Sequence, residues 1–382
     1  MDLEDKLLMM PGPVPVASRI LRAMSKPMIN HRGAKFSEIY EDCIDVLRDI
    51  FKTENDLFVL SGSGTAAMEA AVGCTIDKND TVISIENGKF GERFKDIAGR
   101  YGNVVPLEFE WGTSFDLGLV EEKLADGAKA ITMVHNETSA GIQNPAEKVG
   151  KLAKKYDALF IMDGVTSIGG DTVMVDDWGV DIAVVGSQKC IGAPPGLSML
   201  SVSERAFDAM EKDNLPYYLD LKAYKKSADK SSTQTPYTPA IPLFYGLQEA
   251  LHVVREEGMD ARIRRHSTGA AAIRAASAAM DVAMFPDLDG DSKYSNTVSA
   301  MKSPDNLDSN DLKKDMMAAG IVIAGGQGRL SGKIFRIGSM GNITSRDLLL
   351  TVQQLELAFK KRGLVNEFGP GVEAAAKVLD IF

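Results

Sequence analysis

Cysteine is scarce in this chain: Cys43, Cys74 and Cys190 are all that 382 residues contain. They lie far apart, are odd in number and never show C-x-x-C spacing. That argues against a disulfide framework or a zinc site and fits a reducing compartment. His31, His135, His252 and His266 likewise have no metal-ligand spacing, so no metal is expected. No run of about 18 apolar residues occurs, and no membrane-spanning segment is expected. The start, M-D-L-E-D-K, lacks the apolar stretch of a secretion signal, so the expected location is cytoplasmic. Positive charge is in deficit, with 43 Lys and Arg against 53 Asp and Glu, a net charge of -10. Such a balance disfavours a broad face for nucleic acid or anionic membrane, although a local pocket can still hold an anion.

What the chain does contain is alternation. Its length exceeds what one small core needs. Strand-like runs at Leu57–Leu60, Thr81–Ile85, Ala130–Val134, Leu159–Met162, Ile182–Val185 and Leu197–Ser201 are separated by helical patterns. Those patterns fill 65–74, 91–101, 116–125 and 145–156, and a further helix is expected over Phe36–Phe51. This β/α alternation predicts an α/β fold with a mostly parallel sheet flanked by helices. Residues 1–16, rich in proline towards their end, read as an N-terminal arm. A polar, proline-containing stretch from Ser227 to Pro242 reads as a long functional loop. A helical stretch from Leu243 to about Met284 then leads into a smaller α+β region. That region has strand patterns at Thr297–Met301, Ile321–Ala324 and Ile334–Ile337, a helix near 308–319, and a short amphipathic helix in the tail. The expected division is an arm (1–16), a large domain (17–257) and a small C-terminal domain (258–382), joined by the long helix.

Residues 57–71, L-F-V-L-S-G-S-G-T-A-A-M-E-A-A, read as strand, glycine turn and helix. Backbone amides at such a helix start bind phosphate without a basic residue, and Ser63 and Thr65 add hydroxyls. Gly62-x-Gly64-x-x-Ala67 also satisfies a dinucleotide fingerprint, with Glu86 where a ribose-binding acid would stand. A phosphate cradle and a nicotinamide dehydrogenase both remain open on this loop alone.

Lys189 follows the apolar run Ile182–Val185 in I-A-V-V-G-S-Q-K-C-I-G, just past a strand end and over the ligand crevice of an α/β sheet. A deprotonated amine there forms an imine with a carbonyl compound. Asp163 ends the preceding strand in F-I-M-D-G-V-T-S-I-G-G, about one crossover unit earlier, so both side chains can reach one ligand. Pyridoxal phosphate asks for this set: a lysine for its aldehyde, a carboxylate for its ring nitrogen and a cradle for its phosphate.

At these residues the chain resembles the class V, fold-type I pyridoxal-phosphate aminotransferases, nearest the serine–pyruvate/alanine–glyoxylate group. The resemblance runs through P-G-P at 11–13, S-G-S-G-T at 61–65, H-N-E-T-S-A-G at 135–141 and D-G-V-T-S-I-G-G at 163–170. It continues through G-S-Q-K at 186–189, A-P-P-G at 193–196 and F-R-I-G at 335–338. It implies a large domain with a mostly parallel sheet and a small C-terminal α+β domain. It also implies pyridoxal 5'-phosphate as cofactor, with Lys189 as its attachment point and Asp163 beside the ring nitrogen. Val165 and Phe90 would lie on the two ring faces, where some relatives use Trp for the second. Thr138 would sit near the ring's 3-oxygen. Ser63, Gly64, Thr65 and Gln188 would hold the phosphate, with Thr65 where relatives have His. Thr238 would come from the neighbouring subunit of a homodimer, and Thr235 aligns with a tyrosine of some relatives, with Tyr237 close by. Arg336 would grip the substrate carboxylate through two parallel bonds.

The implied reaction moves an amino group from serine or alanine to glyoxylate or pyruvate by a ping-pong course. Aspartate or another amino acid with 2-oxoglutarate is the alternative. A cysteine desulfurase needs a late loop cysteine, and none follows Cys190. His135, Cys43, Cys74 and Cys190 read as structural.

Overall fold

A computed structural model describes residues 6–212 and 214–380. Its centre is a seven-stranded sheet of β1 (Asp56–Ser61), β2 (Thr81–Glu86), β3 (Asn103–Glu108), β4 (Ala130–Val134), β5 (Leu159–Asp163), β6 (Ile182–Gly186) and β7 (Leu197–Val202). The spatial order is β1-β7-β6-β5-β4-β2-β3. Only β7 runs antiparallel to its neighbours; every other pair is parallel. Strands β4, β5, β6 and β7 are buried along their whole length, which is why β4, β5 and β6 read as mainly apolar runs rather than alternating ones; β7 carries the buried Ser198 and Ser201. Along β6, Val184 faces one core and Ala183 and Val185 face the other, as the two-residue period of a strand requires.

Helices α1 (Ala34–Phe51), α2 (Gly64–Thr75), α3 (Lys89–Tyr101), α4 (Leu117–Ala125) and α5 (Ala146–Lys155) cover the sheet. Ala67, Ala70 and Ala71 are fully buried, and small side chains let α2 lie close against the strands. The sequence patterns did not reveal β3. It carries Pro106 and several exposed positions, and it pairs with β2 alone. An edge strand tolerates a proline and needs no long apolar run.

The helical stretch expected from Leu243 to Met284 is two helices, α6 (Ile241–Glu257) and α7 (Met259–Ala279). They break at Gly258, whose φ of +78° favours glycine. The expected loop 227–242 is shorter, because Ser227 and Ala228 complete the helix Leu221–Ala228 and Ile241 opens α6. Beyond α7, β8 (Val298–Lys302), β9 (Ala324–Gly325) and β10 (Ile334–Gly338) form an antiparallel sheet in the order β8-β10-β9. The strand expected over Ile321–Ala324 divides, since Ile321 and Val322 pair with Leu7 and Leu8 of the arm instead. The tail forms the helix Pro370–Val378, and the terminal Ile381 and Phe382 lie outside the described residues. No helix among the described residues is long and apolar enough to cross a membrane.

The arm is built in more tightly than its sequence suggests. The Gly338 amide donates to the Met9 carbonyl at 2.7 Å, and the Val14 amide donates to the Gln188 carbonyl at 3.1 Å. Met9 is wholly buried. The arm therefore runs between β10, which carries Arg336, and the loop that carries Lys189.

Candidate active site

Asp163 is the last residue of β5, and Lys189 lies three residues beyond the end of β6. The two strands pair in parallel, with Asp163 opposite Val184, so both side chains stand at the carboxyl edge of the sheet. Asp163 is 4% exposed, and its Oδ1 accepts from the Val165 amide at 2.8 Å. Burial lifts its carboxyl from the usual range to about 6; the Val165 amide opposes the rise and the nearby Glu137 adds to it. Burial pushes the Lys189 amine the other way, down to about 8, with Asp163 and Cys190 opposing and the positive charges of Arg336 and Arg93 helping. Lys189 Nζ donates to the Pro11 carbonyl of the arm. Gly12 sits against the lysine with φ +86°, and a Cβ there would stand 2.5 Å from Lys189 Cδ. Only glycine meets both demands.

The phosphate-type loop lies at the start of α2. Ser63 is the N-cap in extended conformation, and no side chain caps the helix, which leaves the first amides available to an anion. Gly64 brings the helix start close to Val165, whose Cγ2 would lie 3.0 Å from an added Cβ. Gln188 Oε1 is buried without a partner. Ser63 is exposed and Thr65 is half-buried. Phe90 and Val165 pack against the same cluster of buried residues.

Glu137 is the residue that sequence reasoning missed. It is fully buried and accepts from the amides of Phe90 and Gly91 at 2.9 Å each and from the Ser139 amide at 3.0 Å and hydroxyl. It thereby satisfies free amides at the start of α3 and fixes Phe90. Burial raises its own carboxyl, and those hydrogen bonds oppose the rise. An acid just past a strand end was the available signal, the same one that singled out Asp163.

Thr138 is buried next to it, and its carbonyl accepts from Arg336 Nη1 at 2.9 Å. Arg336 Nε and Nη2 donate to the Gly325 carbonyl at 3.0 and 2.7 Å. Arg336 is 4% exposed, and burial lowers it to about 10 while Glu137 opposes that. No carboxylate among the described residues pairs with it. A guanidinium has five N–H donors, so one on each terminal nitrogen stays free, as a bidentate carboxylate requires.

Thr238 is exposed, two residues before Ala240, whose amide donates to Ser61 Oγ at 3.1 Å. Thr235 Oγ1 donates to the Tyr237 carbonyl at 2.6 Å, while Tyr237 packs against the rings of Tyr217 and Tyr218. His135 is buried beside Ser167 Oγ at 2.9 Å, and burial pushes it down to about 3. Burial pushes the Cys190 thiol up to about 12, which makes it a packing residue. Glu86 is engaged by Lys95 at 2.6 Å and Arg329 at 3.8 Å, so it is not a free acid awaiting a ribose.

An amine and a carboxyl on adjacent strand ends, an uncapped helix start and a buried unpartnered amide oxygen fit pyridoxal phosphate from its aldehyde to its phosphate. They define a pyridoxal-phosphate transferase of fold-type I. The chain belongs to the class V aminotransferases, whose family model matches residues 19–335. It is 45% identical to an uncharacterised aminotransferase of Methanocaldococcus jannaschii over 99% of this chain and 98% of that one. It is 34% identical to serine–glyoxylate aminotransferase of Methylorubrum extorquens, covering 97% and 95%. The structure of ureidoglycine–glyoxylate aminotransferase from Bacillus subtilis superposes with a TM-score of 0.93 at 33% identity, over 98% of each chain. The protein is thus a pyridoxal-phosphate-dependent aminotransferase.

Proposed function

We propose that this aminotransferase takes the amino group of serine or alanine and passes it to glyoxylate or pyruvate in two half-reactions, within a homodimer whose subunits share each site. The observation that carries the carboxylate-bearing substrate is Arg336, a buried guanidinium with two unused donors and no acidic partner. Relatives named as serine–glyoxylate aminotransferases support the choice of donor and acceptor. The Pro11 carbonyl and Gly12 pack against the Lys189 side chain, which favours a substrate with a small side chain at that amine.

When bound, the cofactor supplies an aldehyde that joins the amino group and a ring that takes up the electron pair left at Cα. Lys189 would be the attachment point in the resting enzyme and, when free, the base that accepts the Cα proton; its pKa, lowered to about 8, leaves roughly a tenth of it as free amine at pH 7, against less than about a thousandth for an ordinary lysine. Asp163 would hold a proton at the ring nitrogen. Phe90 and Val165 would flank the ring, Thr138 would serve its 3-oxygen, and Ser63, Gly64, Thr65 and Gln188 would hold the phosphate. Thr238 would be supplied to the same phosphate by the other subunit. Arg336 would hold the substrate carboxylate and so orient its Cα–H bond for removal by Lys189. The division into arm, large domain (17–257) and small domain (258–382) belongs to this reading.

The test is a half-reaction screen. The purified enzyme is mixed with one amino acid at a time, without acceptor, and the 2-oxo acid released is quantified. Serine or alanine should yield about one equivalent per subunit, and full assays should give parallel double-reciprocal lines. Release only when both substrates are present, or intersecting lines, would contradict the two-stage course. A burst with aspartate instead, the donor of a relative in Paracoccus denitrificans, would move the assignment to a dicarboxylic donor.

A further inference from the structure

The phosphate loop as read from sequence contains no cation, yet the fold brings one to it. Arg93 lies on α3, one turn after Phe90 and therefore on the same face of the helix. Its Nη1 donates to Thr65 Oγ1 at 3.2 Å. Its guanidinium carbon stands 4.8 Å from the centre of the Phe90 ring, within cation–π range. Its neighbours on α3 are neutralised, since Lys89 pairs with Glu92 and Lys95 with Glu86. Arg93 is half-buried and pairs with no carboxylate among the described residues.

We propose that Arg93 is a positioning residue for the phosphate end of the cofactor, acting through Thr65. This rests on the pyridoxal-phosphate reading of the site. A guanidinium donates and never accepts. Thr65 Oγ1 must therefore accept from Arg93, and its own hydroxyl proton is left to donate elsewhere. Thr65 stands in the first turn of α2, whose start has no side-chain cap, where a phosphate would be held. Arg93 thus orients the Thr65 hydroxyl as a donor to phosphate and adds uncompensated positive charge to an otherwise neutral cradle.

The experiment compares two ligands on the cofactor-free protein, pyridoxal phosphate and pyridoxal, which lacks the phosphate. Wild type, Arg93→Met, Arg93→Lys, Thr65→Val and the double variant Arg93→Met/Thr65→Val are titrated with each. Arg93→Met and Thr65→Val should each bind pyridoxal phosphate about tenfold more weakly or worse, with pyridoxal binding unchanged. The double variant should be little worse than either single one, because the two act as a unit. Arg93→Lys should recover part of the loss. Equal loss of both ligands would assign Arg93 to general architecture and overturn the proposal, as would wild-type affinity in Arg93→Met. Should Arg93→Met fail to fold, Thr65→Val and Arg93→Lys still decide it, since unchanged phosphate discrimination in both would overturn it. Failure of the wild type to bind pyridoxal phosphate would instead overturn the cofactor reading itself.

Discussion

Burial drives the two central ionisable groups in opposite directions, and both shifts have measurable consequences. Asp163 keeps its proton in the fold up to about 6, against 3.8 ordinarily. The folded state binds protons more tightly than the unfolded one across that window, so stability falls as pH rises from 3.8 through about 6. The full deficit, on the order of 3 kcal/mol, is in place at neutral pH. Asp163→Asn should therefore melt no lower than wild type at pH 7 in cofactor-free protein, lose the pH dependence between 4 and 6, and lose about 100-fold or more in turnover. Melting curves across pH check the first part. Lys189 has the opposite sign: its folded pKa of about 8 lies below the ordinary 10.5, so its deficit is present below about 8 and disappears as pH rises to 10.5. The rate of aldehyde capture by the cofactor-free protein should climb with pH and level off above about 8. A climb continuing past 10 would mean an ordinary exposed lysine. Lys189 and Asp163 were legible in the sequence because Asp163 ends an apolar strand and Lys189 lies three residues beyond the end of another. Glu137 carried the same strand-end signal, but its role and that of Arg93 depend on partners, Phe90 and Thr65, that lie 47 and 28 residues away in the chain, a separation that no local pattern reports.

Among the elements, the arm and the start of α3 do more than their sequences announce. Gly12 lies where an added Cβ would displace Lys189. Gly12→Ala should keep the fold but slow aldehyde capture about tenfold or more, read from capture rates alongside unchanged circular dichroism. Glu137 satisfies backbone donors at the start of α3 from a fully buried position. Glu137→Ala leaves those donors unpaired and should cost about 3 kcal/mol or more, seen as a lower denaturant midpoint. The central strands were legible because burial on both faces writes continuous apolar runs. The edge strand β3 was not, because one pairing partner suffices for it and Pro106 is tolerated there. The break at Gly258 was hidden for a related reason, since the patterns of α6 and α7 are both helical and one glycine between them reads as an interruption rather than an end.

At the scale of the whole molecule, the mostly parallel sheet and six of its seven strands were legible from alternation, whereas the seating of the arm against β10 and the lysine loop was not. One chain leaves Thr238 exposed beside the rings of Tyr217 and Tyr237, with Tyr217 84% exposed. A second copy related by twofold symmetry would present the same loop in return. Mixing Lys189→Ala subunits with Thr238→Trp subunits should then restore part of the activity that each lacks, because each hybrid dimer holds one site with both residues intact. Absence of recovery would place Thr238 in its own subunit's site or outside the site. All of this depends on one chemical claim, that Lys189 is the amine that carries the cofactor. It is tested most directly by reducing the purified enzyme with borohydride, which makes a lysine–aldehyde linkage permanent, and locating the adduct by peptide mass spectrometry. The account predicts a phosphopyridoxyl group on Lys189 and on no other lysine, and none in Lys189→Ala. An adduct on a different lysine, or no adduct in cofactor-saturated wild type, would contradict it.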